Sequence, residues 1–278
     1  MLWGGPVKTN PLLAGAVIAL LSCCGDGPSP GGRQAADVDE SASPTRPTTF
    51  VLVHGGWGSG DEFGTVAEIL RAKGHTVFTP TLTGLGERAH LARADTNLST
   101  HIDDIVSVFG SEEIESAVLV GHSYGGMVVT GVADSIPEQI AALVYLDAAL
   151  PEPGQAAIDV LAPDDPLVEE VLAARQRGET TLAFPVRAAQ EFGLSEEELA
   201  KIPPHPIGSF TEPIRLTGAY ASVSKKTYVA TDFQAYRRIY DRVVSDPAWR
   251  AVVAQTGHNV HVEAPELTAR ILEESLSD

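Results

Sequence analysis

A serine flanked by glycines, in Gly121-His122-Ser123-Tyr124-Gly125, is the residue of this sequence best placed to act as a nucleophile. It follows an apolar run of strand type at 116–120 and precedes a run at 127–133 that can continue as a helix. A Gly-x-Ser-x-Gly turn between a strand and a helix holds the serine in a strained backbone conformation and exposes its hydroxyl. The pattern therefore predicts that Ser123 is a nucleophile.

A base must take the serine proton, because a serine hydroxyl alone is a weak nucleophile, and an oriented imidazole is the usual base. His258 follows the last strand-like run, where a loop can hang over Ser123. His261 is the rival, but its spacing to a following proline places it nearer the final helix, where a packing or polar loop role is favoured. His258 is thus the predicted base, and His122 is expected to point away from the pocket.

A carboxylate must orient the imidazole, and two aspartates follow strand-like runs where this is possible. Asp147 lies in an apolar setting, Leu146-Asp147-Ala148-Ala149, where a carboxylate is costly without a partner. Asp232 follows the next strand and has another possible task, capping a helix predicted to run to about Val244. We favour Asp147 as the acid, and Asp232 stays open as the alternative.

The negative oxygen of a tetrahedral intermediate needs two preorganised N–H donors. The amide of Tyr124 stands at the predicted start of a helix, where negative charge is favoured. The second donor is expected from the loop after the first strand, His54-Gly55-Gly56-Trp57, because small residues there let the backbone approach a substrate. We assign it to Gly56. The predicted oxyanion hole therefore consists of Gly56 and Tyr124.

Elements that could carry these residues begin at Thr48, where strand-like and helix-like runs start to alternate, a pattern typical of a mostly parallel sheet covered by helices on both faces. Ser59-x-x-Glu62 has the form of a capping box that opens a helix through about Ala72. The alternation stops at about 151–224, after the strand that ends at Asp147. This insertion, with its helix-like pieces and Pro-rich connections, is predicted to lie over the catalytic edge as a helical lid. The predicted strands are 49–53, 75–79, 116–120, 141–146, 227–231 and 250–254.

Five stretches carry a resemblance to a known family: 51–57, 79–88, 121–127, 145–148 and 257–265. In these stretches the chain resembles the bacterial esterase branch of the hydroxynitrile lyase and plant methylesterase group of α/β-hydrolases. The resemblance covers about residues 48–278 and is weakest in the lid. It implies the α/β-hydrolase fold and ester hydrolysis without a metal or cofactor. In the plant members the acid follows the later strand, which matches Asp232, whereas the Leu-Asp-Ala motif at Asp147 is of bacterial type.

Members of this group that cleave cyanohydrins are less similar to this chain. They have a threonine after the first-strand histidine and a lysine near the acid loop. This chain has Gly55 at the first position and no lysine between Asp232 and His258. The resemblance therefore favours an esterase over a lyase.

The N-terminal residues have the layout of a secretory signal peptide, predicted at 1–22. Cys23 follows a small residue, as in a bacterial lipoprotein, so lipidation and a membrane tether through Cys23 are expected. Ordinary cleavage near Ser22, or a mis-assigned start of a cytoplasmic enzyme, is the alternative. Residues 23–47 are rich in Gly, Pro and Ser and are predicted to be a disordered tether. The expected location is extracellular or lipid-anchored at the outer face of a bacterial membrane.

Composition excludes several function classes. The net charge of −18 argues against a nucleic-acid partner. Both cysteines, Cys23 and Cys24, precede the predicted domain 48–278, so no disulfide, Cys-based zinc site or cysteine nucleophile is expected in it. We expect a serine carboxylic-ester hydrolase that acts on a small to medium hydrophobic ester through an acyl-enzyme, with no cofactor or metal. A lactonase with the same triad, or a non-catalytic ligand-binding protein, is the alternative, and the oligomeric state is open.

Overall fold

A computed structural model describes residues 46–162, 164–233 and 235–277, with the side chain of Glu191 left out. The predicted signal peptide at 1–22 lies outside these residues, and so does the predicted tether at 23–47 except for Arg46 and Pro47. Among the described residues, no helix combines the length and apolar character needed to cross a membrane.

Six parallel strands form the central sheet in the order β2-β1-β3-β4-β7-β8. Near-continuous runs of Val, Leu, Ile and Ala build the central strands, as expected for a parallel sheet that is buried on both faces. The mostly parallel sheet predicted from the sequence is confirmed. The strands are β1 Thr49–Val53, β2 Thr76–Phe78, β3 Ala117–His122, β4 Ile140–Leu146, β7 Lys226–Ala230 and β8 Arg250–Val253, and a separate antiparallel pair consists of β5 Thr181–Leu182 and β6 His205–Pro206.

Helices cover both faces of the sheet, and the alternation of side chains along β1 shows how. Phe50 and Leu52 belong to one apolar cluster, whereas Val51 and Val53 belong to the other, because successive strand residues point to opposite faces. Helices α1 and α11 contribute to the first cluster, and α2 and α3 contribute to the second. The helices that flank the sheet are α1 Gly64–Ala72, α2 Leu98–Ser111, α3 Gly125–Ser135, α9 Arg237–Val243, α10 Val260–Glu263 and α11 Pro265–Glu274.

The segment between β4 and β7 contains short helices and the small β5–β6 pair. Tight hydrogen bonds tie it to the main domain: the Asp134 carboxylate of α3 accepts from the N–H groups of Thr217, Gly218 and Tyr220. Its role as a lid stays a prediction. The helices of this segment are α4 Ala157–Val160, α5 Pro166–Gln176, α6 Val186–Glu191, α7 Glu196–Leu199 and α8 Ile207–Thr211.

Two local predictions differ from the structure. Ser59 makes no side-chain cap, because residues Gly60–Phe63 form a 3₁₀ turn before α1, in which the N–H of Glu62 donates to the backbone carbonyl of Ser59 instead. The helix expected from Asp232 begins only at Arg237, and its N-cap residue is Tyr236 rather than Asp232. A complete capping box is present elsewhere, between Ser195 and Glu198 at the start of α7.

Candidate active site

Ser123 sits in the strained turn that the sequence predicted. Its φ is +53°, a left-handed conformation that L-residues other than glycine rarely adopt. The turn leaves no room for side chains beside it. A Cβ at Gly121 would lie 2.7 Å from the carbonyl oxygen of Gly125, and one at Gly125 would lie 2.6 Å from that of His54. The elbow geometry therefore follows from the glycine spacing.

Asp147 leaves the neighbouring strand at the same level as Ser123. The β3–β4 register pairs His122 with Leu146, so the next residue of each strand, Ser123 and Asp147, begins a turn at the carboxyl edge of the sheet. Asp147 also has a positive φ, +43°, and its N–H donates to the carbonyl of Val229 over 2.7 Å. Its side chain is buried, with the residue 2% exposed.

The Asp147 carboxylate accepts two hydrogen bonds through Oδ2. Nδ1 of His258 lies 2.8 Å from this oxygen, and the hydroxyl of Thr231 donates to it, also over 2.8 Å. A carboxylate on Nδ1 places the proton there and leaves the lone pair on Nε2 of His258. The aromatic ring of Phe233 packs against the imidazole, with 4.4 Å between ring centroids. The imidazole is thus held in one orientation and one tautomer.

Ser123 and His258 line the same cavity, which has a volume of about 750 Å³. Tyr236, also on the cavity wall, places its hydroxyl near Ser123, and burial raises the pKa of this hydroxyl above its ordinary value. A neutral phenol beside the serine can donate a hydrogen bond but carries no charge at neutral pH. Ser123 therefore faces the cavity between an imidazole and a phenol.

Gly56 and Tyr124, the predicted oxyanion-hole residues, also line this cavity. The loop that carries Gly56 is fixed on its far side, where the N–H of Trp57 donates to Nδ1 of His205 over 3.1 Å. The Tyr124 side chain is buried, and its hydroxyl shares a hydrogen bond with Nδ1 of His101 at 2.8 Å. The bond to His205 thus holds the backbone next to Gly56, and the bond to His101 holds that of Tyr124.

Asp232, the alternative acid, lies exposed on the cavity wall. Its N–H donates to the carbonyl of Thr256 over 3.0 Å. Nδ1 of His258 instead bonds to the carboxylate of Asp147. The geometry thus favours Asp147, and the reason is position: the residue after β4 emerges beside Ser123.

The two other histidines considered from the sequence lie next to the site. His261 is buried in α10, and its ring stacks on Phe63 with 4.5 Å between centroids. His122 is buried too, and its Nε2 donates to the carbonyl of His258 over 3.1 Å. Together with Glu62 these histidines form one group of metal-ligating side chains, with one ligand atom from each within 4.8 Å of the others.

Sequence reasoning missed three residues that position the site. Thr231 holds Asp147, Tyr236 contacts Ser123, and His205 supports the loop of Gly56. A threonine one residue before Asp232 and a histidine in a Pro-rich stretch carry no motif. Tyr236 was expected inside a helix. Only the fold brings these side chains to the cavity.

A family model described as "Alpha/beta hydrolase family" matches residues 50–271. The chain belongs to this family. It is 36% identical over 239 residues to a carbendazim hydrolyzing esterase of Nocardioides sp., and the match covers 80% of this chain and 97% of that protein. It is also 32% identical over 121 residues to a pyrethroid hydrolase of Sphingobium wenxiniae, covering 43% of this chain and 42% of that one.

Among solved structures, the chain is similar to an extracellular alpha/beta-hydrolase from a Paenibacillus species. The TM-score is 0.72 with 22% sequence identity, and the match covers 84% of this chain and 100% of that one. This likeness confirms the α/β-hydrolase fold. The curated relatives are named esterases and hydrolases, so the chain is an ester-bond hydrolase.

Proposed function

We propose that this protein is a serine carboxylic-ester hydrolase in which Ser123, His258 and Asp147 form the catalytic triad. The observation that carries the proposal is the 2.8 Å hydrogen bond between Nδ1 of His258 and Oδ2 of Asp147, made beside the strained Ser123 on the wall of one cavity. This bond leaves Nε2 of His258 as the basic nitrogen. The chemistry follows from that arrangement.

In the first half of the reaction, Ser123 Oγ attacks the ester carbonyl while Nε2 of His258 takes the hydroxyl proton. The imidazolium that forms is stabilised by the Asp147 carboxylate. His258 then gives the proton to the departing alcohol, which leaves an acyl-enzyme on Ser123. In the second half, His258 activates a water molecule that releases the acid and restores Ser123.

The Gly56 and Tyr124 N–H groups are proposed to hold the oxygen that becomes negative in each tetrahedral intermediate. Both belong to residues of the cavity wall. The Tyr124 amide also stands at the N-terminus of α3, where the helix dipole favours negative charge. Two fixed donors act in the transition state more than in the ground state, which is what accelerates the reaction.

The proposed substrate is a small to medium hydrophobic ester. Mainly apolar side chains surround Ser123, and a cavity of about 750 Å³ is large enough for a drug-sized molecule. A lactone is the second candidate, since the same groups open a cyclic ester. The aromatic residues of the wall are Trp57, Phe184, Phe192, Phe210, Phe233 and Tyr236.

The segment between β4 and β7 is proposed to be the lid, because Phe184, Phe192 and Phe210 reach the cavity wall from it. Export through a signal peptide at 1–22, with lipidation of Cys23, is likewise proposed from the sequence. Incorporation of labelled palmitate in an exporting bacterial host, abolished in Cys23→Ser, is the expected result. A lack of label in the unchanged protein would reject the anchor.

A substrate panel tests the proposed activity. It contains p-nitrophenyl esters of increasing acyl length, aryl methyl esters, lactones of several ring sizes, and carbendazim, for which the Nocardioides relative is named. Steady turnover of at least one ester, lost in Ser123→Ala, is expected. A single burst of product without further turnover would instead identify a ligand-binding protein that retains the fold.

A further inference from the structure

Three side chains with metal-ligating groups meet next to the catalytic histidine, and we propose that they bind one divalent transition-metal ion such as Zn²⁺. Glu62 comes from the 3₁₀ turn before α1, His122 from the end of β3 and His261 from α10. One ligand atom of each lies within 4.8 Å of the others. Two imidazoles and a carboxylate form a ligand set that zinc accepts, with a fourth position for water.

Unpaired nitrogens mark this cluster. Nδ1 of His122 and both ring nitrogens of His261 are buried and have no hydrogen-bond partner within the described part of the chain. The two residues are 3% and 1% exposed. An unsatisfied buried polar atom costs about 1–3 kcal/mol, so such atoms in folded proteins generally serve a water molecule or an ion. Here three such nitrogens lie together in the cluster of Glu62, His122 and His261.

The tautomer of His122 suits a metal ligand. Its Nε2 donates to the carbonyl of His258 over 3.1 Å, which leaves the lone pair on Nδ1. Histidines that bind metals usually donate their other N–H to a carbonyl or carboxylate in this way.

Two glycines leave room for the ligand atoms. A Cβ at Gly55 would lie 3.0 Å from Nδ1 of His122, and a Cβ at Gly58 would lie 2.6 Å from both carboxylate oxygens of Glu62. The third ligand is held by packing, since the ring of His261 stacks on Phe63 with an interplanar angle of 29°. The surrounding backbone and the ring of Phe63 therefore fit closely around these three side chains.

Glu62 is the ligand through which a metal ion would enter the site, and its carboxylate must move to complete the coordination. Its side chain is 38% exposed, and its Oε2 lies 3.9 Å from Nε2 of His261. Ligands bound about 2.0–2.2 Å from zinc lie roughly 3–3.5 Å from each other, so ligand atoms that lie within 4.8 Å of one another must close by up to about 1.5 Å. Rotation of the exposed Glu62 side chain can supply part of this movement.

A bound ion would also affect hydrolysis. The ring centroids of His122 and His258 are 4.6 Å apart, so the ion's charge would oppose formation of the His258 imidazolium. Zn²⁺ should therefore inhibit the enzyme. This consequence rests on the proposed role of His258, whereas metal binding itself does not.

Cobalt titration of the full chain tests the site, because four-coordinate Co²⁺ gives a visible absorption band. All proteins carry Cys23→Ser and Cys24→Ser and no affinity tag, so that no thiolate or added histidine competes. We expect one ion per chain, displaced by Zn²⁺. Affinity should fall at least about tenfold in Glu62→Gln and His261→Phe. His90→Gln, which changes an exposed histidine outside the cluster, should bind as before.

The outcomes separate cleanly. No uptake at millimolar metal, or equal uptake by Glu62→Gln and the parent, would overturn the site. Because Glu62 is partly exposed, Glu62→Gln should fold and gives a decision even if His261→Phe does not fold. Zn²⁺ should reduce ester hydrolysis at least about tenfold more in the parent than in Glu62→Gln. Metal binding by a protein that hydrolyses no ester would refute the proposed function and leave the metal site standing.

Discussion

The backbone N–H of Trp57 donates a hydrogen bond to Nδ1 of His205 over 3.1 Å, across 148 residues of sequence. Nε2 of His205 therefore carries the proton, and it donates to the hydroxyl oxygen of Ser209 over 2.6 Å. Trp57 follows Gly56 directly and has a φ of +58°, an uncommon conformation that needs support. The segment between β4 and β7 thus fixes the loop of the proposed oxyanion hole.

Loss of the His205 imidazole should impair catalysis through this loop. His205→Ala leaves the Trp57 N–H without its acceptor, and we expect kcat/KM to fall about 10–100-fold, since one unpaired buried donor costs about 1–3 kcal/mol. Ser209→Ala is the matched control, because the Trp57 bond remains. Steady-state kinetics of both variants on one ester decides: equal losses would show that the bond to Trp57 has no special role.

Replacement of the proposed nucleophile should abolish turnover without unfolding the protein. Ser123→Ala keeps a small side chain in the elbow, and hydrolysis should fall by at least about 10⁴-fold, as is usual when a triad serine is removed. Circular dichroism and thermal melting serve as the folding control. Activity within about tenfold of the parent would refute the mechanism.

The acid is identified by a pair of asparagine variants. In Asp147→Asn the amide cannot stabilise the His258 imidazolium, and the equivalent change in a serine protease lowers kcat about 10⁴-fold. Asp232→Asn, on the cavity wall, should reduce kcat much less. Measurement of kcat and KM separately is needed, because a substrate-binding role of Asp232 would change KM. A crippled Asp232→Asn beside an active Asp147→Asn would reverse the assignment.

Acid should destabilise the fold through buried neutral histidines. His54 is fully buried, accepts a hydrogen bond from the N–H of Leu82 over 3.1 Å, and has a pKa lowered to about 4, mainly by burial. The unfolded chain binds this proton near pH 6.5, so stability is present above that pH and is lost as the pH falls towards 4. The contribution of His54 is about 3 kcal/mol.

Urea unfolding between pH 7 and pH 4 measures this effect. His54→Gln retains an acceptor but cannot take up a proton, so its free energy of unfolding should vary less with pH than that of the parent. His90→Gln changes an exposed histidine and should keep the parent's dependence. If His54→Gln retains it too, the buried imidazole is not the cause.

Helix-starting glycines should differ in their tolerance of alanine. A Cβ at Gly126, in α3, would lie 2.0 Å from the carbonyl oxygen of Ala149, so Gly126→Ala should destabilise the protein by several kcal/mol or prevent folding. A Cβ at Gly64, at the start of α1, meets nothing within 4 Å. Gly64→Ala should raise stability by up to about 1 kcal/mol. Thermal melting of the two variants is the measurement.

The sheet and the three triad candidates could be predicted from sequence because their signals are local. Ser123 lies between two glycines after an apolar run, and the burial of Asp147 among apolar residues already called for a partner. The side-chain cap expected at Ser59 is absent because the residues after it form a 3₁₀ turn, and the Gly60 amide ties this turn to Thr81, far along the chain. The contacts of Tyr236, Thr231 and His205 likewise depend on distant strands meeting, which no short pattern encodes.

Ser123 and Asp147 extend from hydrogen-bonded neighbours in the sheet, whereas His258 is carried by the loop after β8. The register of the sheet therefore sets the separation of the first two residues. The position of the imidazole depends instead on its packing against Phe233 and on its bond to Asp147. Directed evolution towards bulkier substrates thus has most freedom in the loop after β8. A change there can move His258 while the spacing of Ser123 and Asp147 in the sheet stays the same.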